Sequence, residues 1–310
     1  MFQYTLGDLE NTDNVVIFHK KRVSNSKWTN VLFNIHNSGR IQKYIELPFK
    51  GCWDKRLFGD LLDSFTPDYI IFTISWYSDH LVQYFRKRCK NSKIIFRFTD
   101  KISNGLGTNF AQIIEKIKVQ FDGVLVYSQE DAQQFGFTYH SVGYSVLNRS
   151  ISSKKEHDVV FVGADKGRIE KIRQAYNIFN SAGLSCFFYV TQVKPEERMN
   201  DGIVYADKPL SFCEYISYVM SSRCLFELVQ EGSSGRTFRM MESIMYNKLL
   251  VTNCTEIETS GYNNPEYVQL YKDVVEINPS FVVDAPTQVD FHYHGDFSPK
   301  LVLDFIAHNW

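Results

Sequence analysis

The strongest constraint on this chain is a series of short, continuously apolar runs: DYIIFTI (68–74), KIIFRF (93–98), GVLVYS (123–128), DVVFVG (158–163), SCFFYV (185–190), LFELV (225–229) and LLVT (249–252). An apolar run without alternation belongs to a strand buried on both faces. Between these runs lie stretches with helical spacing. Strands and helices in that alternation form a parallel sheet covered on both sides, so the expected fold class is α/β.

The alternation is expected to begin earlier, with strands at NVVIF (14–18) and VLFNI (31–35) and a short extended piece at YIELPF. Helices are expected over Lys55–Phe65, Tyr77–Lys90 and Phe110–Phe121. A capping box of Ser128 and Asp131 opens another, QEDAQQF, which stops at Gly136. The stretch SVLNRSISSKKEHD is polar and reads as a linker. The pattern then restarts, with a helix over Ile169–Ala182, a strand at IVYA (203–206) and a helix capped by Ser211 and Glu214. VVEI (274–277) is expected to close the second sheet. This places one domain over residues 1–150, a second over 151–290, and a tail over 291–310 that ends in a helix and packs back on the first domain. A length of 310 residues suits two domains.

Composition removes several function classes. The net charge of −1 argues against a nucleic-acid binder driven by bulk charge. The six cysteines form no CxxC pair, and they read as free thiols of a reducing cytosol. No run approaches the ~18 apolar residues of a spanning helix, and the polar start MFQYTLGDLEN does not read as a signal peptide. The expected location is therefore cytoplasmic, with any membrane association peripheral, at the inner face. RKRCK (86–90) and HKKR (19–22) are candidates for touching anionic lipid, or are solvated basic ends.

The stretch Leu225–Asn253 carries most of the chemistry. It parses as strand, small-residue turn (QEGSSG), helix (RTFRMMESIMYN) and strand. At roughly 100° per residue, Phe238, Met241, Ile244 and Met245 share one face. Arg236, Arg239, Glu242 and Ser243 share the opposite one, within about 120°. A helix entered from such a turn offers free N–H groups and a positive dipole end to an anion. Arginines in the first turn oppose that dipole unless a phosphate sits there to be gripped by their forks. The alternative is a merely solvated polar face.

Other candidates stand at strand ends. Gly163, Lys166 and Arg168 in VGADKGR can approach a diphosphate, although the stretch is neither GxGxxG nor a P-loop. Asp100 can act as a general base towards an acceptor hydroxyl, with His19 and His36 as rivals and Trp76 at an equivalent position. Each can equally be an ordinary turn or cap residue. His292 and His294 with Asp290 and Asp296 look like metal ligands but also like a surface loop. The chain has no D-x-D motif, and the expectation is catalysis without a metal.

The stretch YADKPLSFCEYISYVMSSRCLFELVQEGSSGRTFRMMESIMYNKLLVTN, with FDGVLVYSQEDAQQFGF and DVVFVGADKGR, resembles bacterial glycosyltransferases of lipopolysaccharide or capsule synthesis, of the GT-B architecture. The resemblance covers about half of the chain. It implies two tandem Rossmann-like domains facing across a cleft. It also implies a nucleotide-sugar as co-substrate, with no other cofactor, and a glycan or lipid-linked oligosaccharide as acceptor. It assigns Glu242 to the ribose hydroxyls, the turn Ser234, Gly235, Arg236 and Thr237 with Arg239 to the diphosphate, and the segment at Tyr205 to the nucleobase. The family's frequent earlier glutamate falls at Ser234, a departure that touches the sugar contacts. Two alternatives stand beside a glycosyltransferase. One is a sugar-nucleotide epimerase or polyol-phosphate transferase of the same architecture. The other is a non-catalytic glycan-binding or assembly subunit. Donor, acceptor, linkage and anomeric outcome are not written in the sequence.

Overall fold

The computed structural model describes residues 5–10, 12–18, 26–36, 50–102, 110–147, 156–230 and 235–310. The chain forms two compact units: Thr12–Ser141 with Val302–Trp310, and Met1–Asn11 with Val142–Leu301.

The first unit contains α1 (Lys27–His36), α2 (Lys50–Ser64), β1 (Tyr69–Thr73), α3 (Asp79–Arg88), β2 (Lys93–Arg97), α4 (Phe110–Gln120), β3 (Gly123–Val126), α5 (Gln129–Phe135) and β4 (Thr138–Tyr139). The strands lie in chain order and all pair parallel. Successive side chains of β2 point to opposite faces. Ile94 and Phe96 enter an aromatic core with Phe58, Phe72, Phe85 and Phe121, and Ile95 turns the other way.

The second unit contains β5 (His157–Ala164), α6 (Ile169–Ser181), β6 (Cys186–Thr191), β7 (Val204–Ala206), α7 (Phe212–Met220), β8 (Ser222–Phe226), α8 (Phe238–Met245), β9 (Leu249–Thr252) and β10 (Val268–Leu270). Its sheet has the order β10-β9-β8-β5-β6-β7, parallel throughout. From β5 the chain runs outward one way through β6 and β7, then crosses back to β8 and runs the other way. This is the doubly wound, Rossmann-like order, and its switch point lies between β5 and β8.

The last helix, α9 (Lys300–Asn309), belongs mostly to the first unit. Val302 and Ile306 pack on Ile95 and Leu125, covering the second face of that sheet. The ring of Trp310 lies so close over Gly123 that a Cβ there would overlap it.

Several expectations fail for physical reasons. VLFNI is not a strand but part of α1. Trp28, Val31, Leu32 and Ile35 recur at helical spacing, which five residues alone do not reveal. NVVIF forms no regular element over 15–18, and most of YIELPF lies outside the described residues. VVEI gives a 3-10 turn, Val274–Glu276, because Asp273 and Glu276 cap it reciprocally; β10 is the edge strand instead. At α5 the Ser128 hydroxyl accepts from the Asp131 N–H, but the Asp131 carboxylate does not complete a capping box. It accepts from the Ile102 N–H at 3.1 Å, tying α5 to the end of β2. The units divide at Ser141/Val142 rather than at 150, because Tyr144 is buried in the second unit's core beside α8.

Candidate functional site

In a doubly wound sheet, ligands bind where the two halves diverge, beyond the carboxyl ends of the strands. Here two loops meet at that place, one following β5 and one entering α8. The β5 loop turns sharply through Lys166 and Gly167, both left-handed with φ of 49° and 78°. Its turn is held by the Asp165 carboxylate, which accepts from the Arg168 N–H at 2.8 Å. The Arg168 side chain then spans the switch point. It donates to the carbonyls of Ala164 (2.8 Å) and Asp165 (3.1 Å) on its own loop, and to Leu228 beyond β8.

Arg239 makes the reciprocal bridge. From the first turn of α8 it donates to the Val162 carbonyl of β5, with its guanidinium 5.0 Å from the Phe161 ring centre. Arg236, ahead of the helix, lies 5.7 Å over Phe297. Among the described residues, none of the three arginines has an ion-pair partner. Burial lowers the pKa of Arg168, and the charge of Arg239 lowers it further. Among the described residues, no carboxylate lies within ion-pair distance of these cations.

Helix α8 starts one residue after Thr237, whose hydroxyl accepts from the Met240 N–H at 3.1 Å. Thr237→Ala should therefore cost about 1 kcal/mol of stability, measured by urea denaturation, while Thr237→Ser should cost less.

The expected outward face of α8 is corrected by the structure. Glu242 and Ser243 are fully buried, as are Met240, Met241 and Ile244. The helix is enclosed on both sides, because residues 142–147 and α7 cover what periodicity assigned to solvent. The Glu242 carboxylate accepts from the Tyr144 hydroxyl at 2.6 Å and from the Tyr215 hydroxyl. It is a buried partner of two tyrosines and not an exposed acceptor for ribose hydroxyls. Burial raises its pKa to about 7, against the lowering effect of the tyrosine hydrogen bonds and of Arg239. Glu227, also buried, accepts from the Thr252 hydroxyl at 2.7 Å, and the Tyr271 hydroxyl donates to its carbonyl at 2.7 Å.

Of the remaining donor-side candidates, Gly235 is buried with φ of 96°, a backbone that only glycine adopts freely. Gly163 lies in β5, where a Cβ would approach the Phe161 ring to 3.1 Å. Lys166 is exposed on the loop. Ser234 falls outside the described residues. Tyr205 joins a separate network on β7, donating to Asp201 at 2.6 Å and accepting from Arg173 at 3.1 Å.

In the first unit, Asp100 is exposed at the end of β2 and accepts from the Lys101 N–H at 2.8 Å. Trp76 is packed edge-on against Phe18 and Phe58. His36 ends α1 rather than a strand, and its Nδ1 accepts from the Trp53 indole at 3.1 Å. His19 lies outside the described residues. The sequence reading missed a pair: His80, at the start of α3 beyond the carboxyl end of β1, places Nδ1 2.7 Å from the Asp54 carboxylate. Asp54 is buried and His80 is partly exposed. The two residues sit on different helices, so no local spacing marks them. Tyr144 and Tyr215 were missed for the same reason. His292 pairs with Asp290 at 3.2 Å, and no group of three or more potential metal ligands is gathered among the described residues.

No protein-family model and no curated protein matches the chain. Among solved structures, it is similar to accessory secretory protein 1, 2 and 3 of Streptococcus pneumoniae, at 11% identity and a TM-score of 0.45. That match covers 73% of this chain and 48% of the other, so this chain spans about half the length of its counterpart. It is also similar to a protein of Listeria monocytogenes assigned as a UDP-N-acetylglucosamine 2-epimerase (8% identity, TM-score 0.47, 83% and 79% of the two chains). A third is the UDP-forming α,α-trehalose-phosphate synthase of Burkholderia vietnamiensis (10% identity, TM-score 0.45, 82% and 73%). By its own strand order, the chain is an α/β protein of two Rossmann-like units, one of them doubly wound.

Proposed function

We propose that the chain is a glycosyltransferase that moves a sugar from a nucleotide-sugar to a hydroxyl of a glycan or lipid-linked acceptor, in the synthesis of a surface polysaccharide such as lipopolysaccharide or capsule. The observation that carries this reading is the group Arg168, Arg236 and Arg239. These are three cations with no ion pair among the described residues, two of them bridging the switch point of a doubly wound sheet. A diphosphate is the ligand that such a group suits, since guanidinium forks match phosphate oxygens. In the transfer, negative charge develops on the leaving diphosphate, and fixed cations stabilise it without reorganising. They supply the charge that a divalent metal would otherwise bring.

The acceptor chemistry belongs to the first unit in this reading. Asp54 fixes the ring orientation of His80 and leaves Nε2 to take the proton of an acceptor hydroxyl, the arrangement of an oriented general base. Asp100 is the second candidate for that role. A base is required only for transfer with inversion.

The test is a melting-temperature series with UDP, GDP, CMP, dTDP and ADP, with and without EDTA, followed by a product assay on the nucleotide-sugar so selected. One nucleotide is expected to raise the melting temperature equally in EDTA, because a ligand of the native state must stabilise it. His80→Ala is expected to keep that shift and lose transfer. If no nucleotide shifts the transition, the donor-site reading fails and a non-catalytic subunit becomes the better account. Conversion of the sugar without acceptor would favour an epimerase.

A further inference from the structure

Arg97 ends β2 at the carboxyl edge of the first unit's sheet, the side on which open α/β sheets bind ligands. Side chains alternate along a strand, so Arg97 shares the face of Ile95, the face that α9 packs on. A guanidinium carries five N–H donors in a rigid fork. Among the described residues, Arg97 finds one acceptor, the Ser141 carbonyl, at 3.4 Å. That is longer than an ordinary N–H···O bond. The same carbonyl is already met by His140, whose Nδ1 lies 2.9 Å from it.

The charge is equally unmet. Among the described residues Arg97 makes no ion pair, and burial alone holds its pKa down, to about 10, so it stays charged at neutral pH. The acids that follow β2 and β3 in the chain are engaged. Asp100 accepts from the Lys101 N–H, Glu130 pairs with Lys101 at 2.7 Å, and Asp131 accepts from the Ile102 N–H. A cation drawn partly out of water with no acid beside it costs stability, and an anion from outside offsets that cost.

Thr73 supplies a second group. In the register of the sheet, Thr73 at the end of β1 is the direct partner of Arg97. Parallel partners stand side by side on one face, on strands about 4.8 Å apart. The Thr73 hydroxyl does not cap the turn that follows, and it has no partner among the described residues. Both residues are partly exposed, so a ligand can reach them. An oxyanion suits the pair: two oxygens take the fork and a further lone pair takes the hydroxyl proton.

We propose that Arg97 and Thr73 form a subsite for an oxyanion, a phosphate or carboxylate group, on the molecule that the first unit takes. In the proposed transfer that molecule is the acceptor, which is then a phosphorylated or acidic sugar and not a neutral one. That last step rests on the glycosyltransferase reading; the binding of the anion does not.

The experiment follows the Arg97 Nε–H signal by NMR in the full chain, assigned by its loss in Arg97→Gln. Inorganic phosphate, acetate and chloride are added separately at matched ionic strength. A saturable shift is expected with phosphate or acetate and not with chloride; tighter phosphate points to a phosphorylated ligand, tighter acetate to an acidic sugar. Thr73→Val is expected to weaken the preferred anion by about two- to tenfold, the worth of one hydrogen bond. Arg97→Met is expected to leave the melting temperature unchanged or raised, because the fold gives up one long hydrogen bond and is relieved of a half-buried charge. The melting shift given by a nucleoside diphosphate should be the same in Arg97→Gln as in the wild type, so failure of the nucleotide site and failure of this one are read separately. A signal that phosphate and acetate move no further than chloride overturns the proposal. So does an affinity that Thr73→Val leaves unchanged. A clear fall in the melting temperature of Arg97→Met would assign the guanidinium to the fold instead.

Discussion

Arg239→Ala is expected to weaken binding of the selected nucleoside diphosphate by about 30- to 150-fold, the equivalent of about 2–3 kcal/mol for a charge-assisted contact to phosphate. Arg239 makes no ion pair among the described residues, but its charge favours the ionised form of the buried Glu242, so its removal should also push the Glu242 carboxyl further up. What it does lose is the bond to the Val162 carbonyl and the contact with Phe161. A melting curve without ligand measures that structural part separately. Arg239→Lys keeps the charge but loses the fork, and should fall between wild type and Ala. Arg168→Ala is a harsher change, because three carbonyls lose a donor at once. Combined with Arg239→Ala it should take binding below detection. Titration calorimetry on the folded variants decides the matter. A dissociation constant that moves by less than about twofold in Arg239→Ala would remove the diphosphate from the switch point.

The second large effect concerns Glu242 and pH. Its folded pKa of about 7 lies above the ordinary value of 4.5. Between those values the native chain holds a proton that the unfolded chain has released. The contribution to stability is therefore complete below about 4.5 and disappears as pH rises through about 7. At 1.36 kcal/mol per unit this amounts to about 3 kcal/mol. Urea denaturation from pH 5 to 8.5 should show the wild type losing about this much relative to Glu242→Gln, which has no proton to lose. Parallel profiles for the two proteins would show that the carboxylate, with its two tyrosine hydroxyls, is as stable buried as in water. The same titration couples to the ligand. Neutralising Glu242 removes a negative charge beside Arg239, so diphosphate binding should tighten as pH falls through about 7, and Glu242→Gln should flatten that dependence.

The failures of sequence reasoning fall where a residue's neighbours come from far along the chain. Periodicity placed Phe238, Met241, Ile244 and Met245 on a core face, and Met241 and Ile244 are fully buried. It placed Glu242 opposite them, in solvent, because a helical wheel records angle and not coverage. The cover is Tyr144, ninety-eight positions away in sequence, directly before the stretch that reads as a linker. His80 and Asp54 illustrate the same limit, being twenty-six positions apart on two helices that no pattern links. The strand at VLFNI failed differently: its apolar residues satisfy two periods over so short a window, and the flanking Trp28 decides for the helix.

By itself the sequence determined the fold class and singled out the arginine-bearing helix after a small-residue turn as the candidate site. A series of continuous apolar runs alternating with helical stretches is what a covered parallel sheet requires. The Gly-rich turn before an arginine-bearing helix is a local signal, since backbone freedom and charge are properties of neighbouring residues. Tertiary structure alone decided the strand order that creates a switch point, and the two arginine bridges across it. It also decided the burial of Glu242. These depend on which surfaces meet in space, and residues that meet across a fold carry no mark of one another in their own segments.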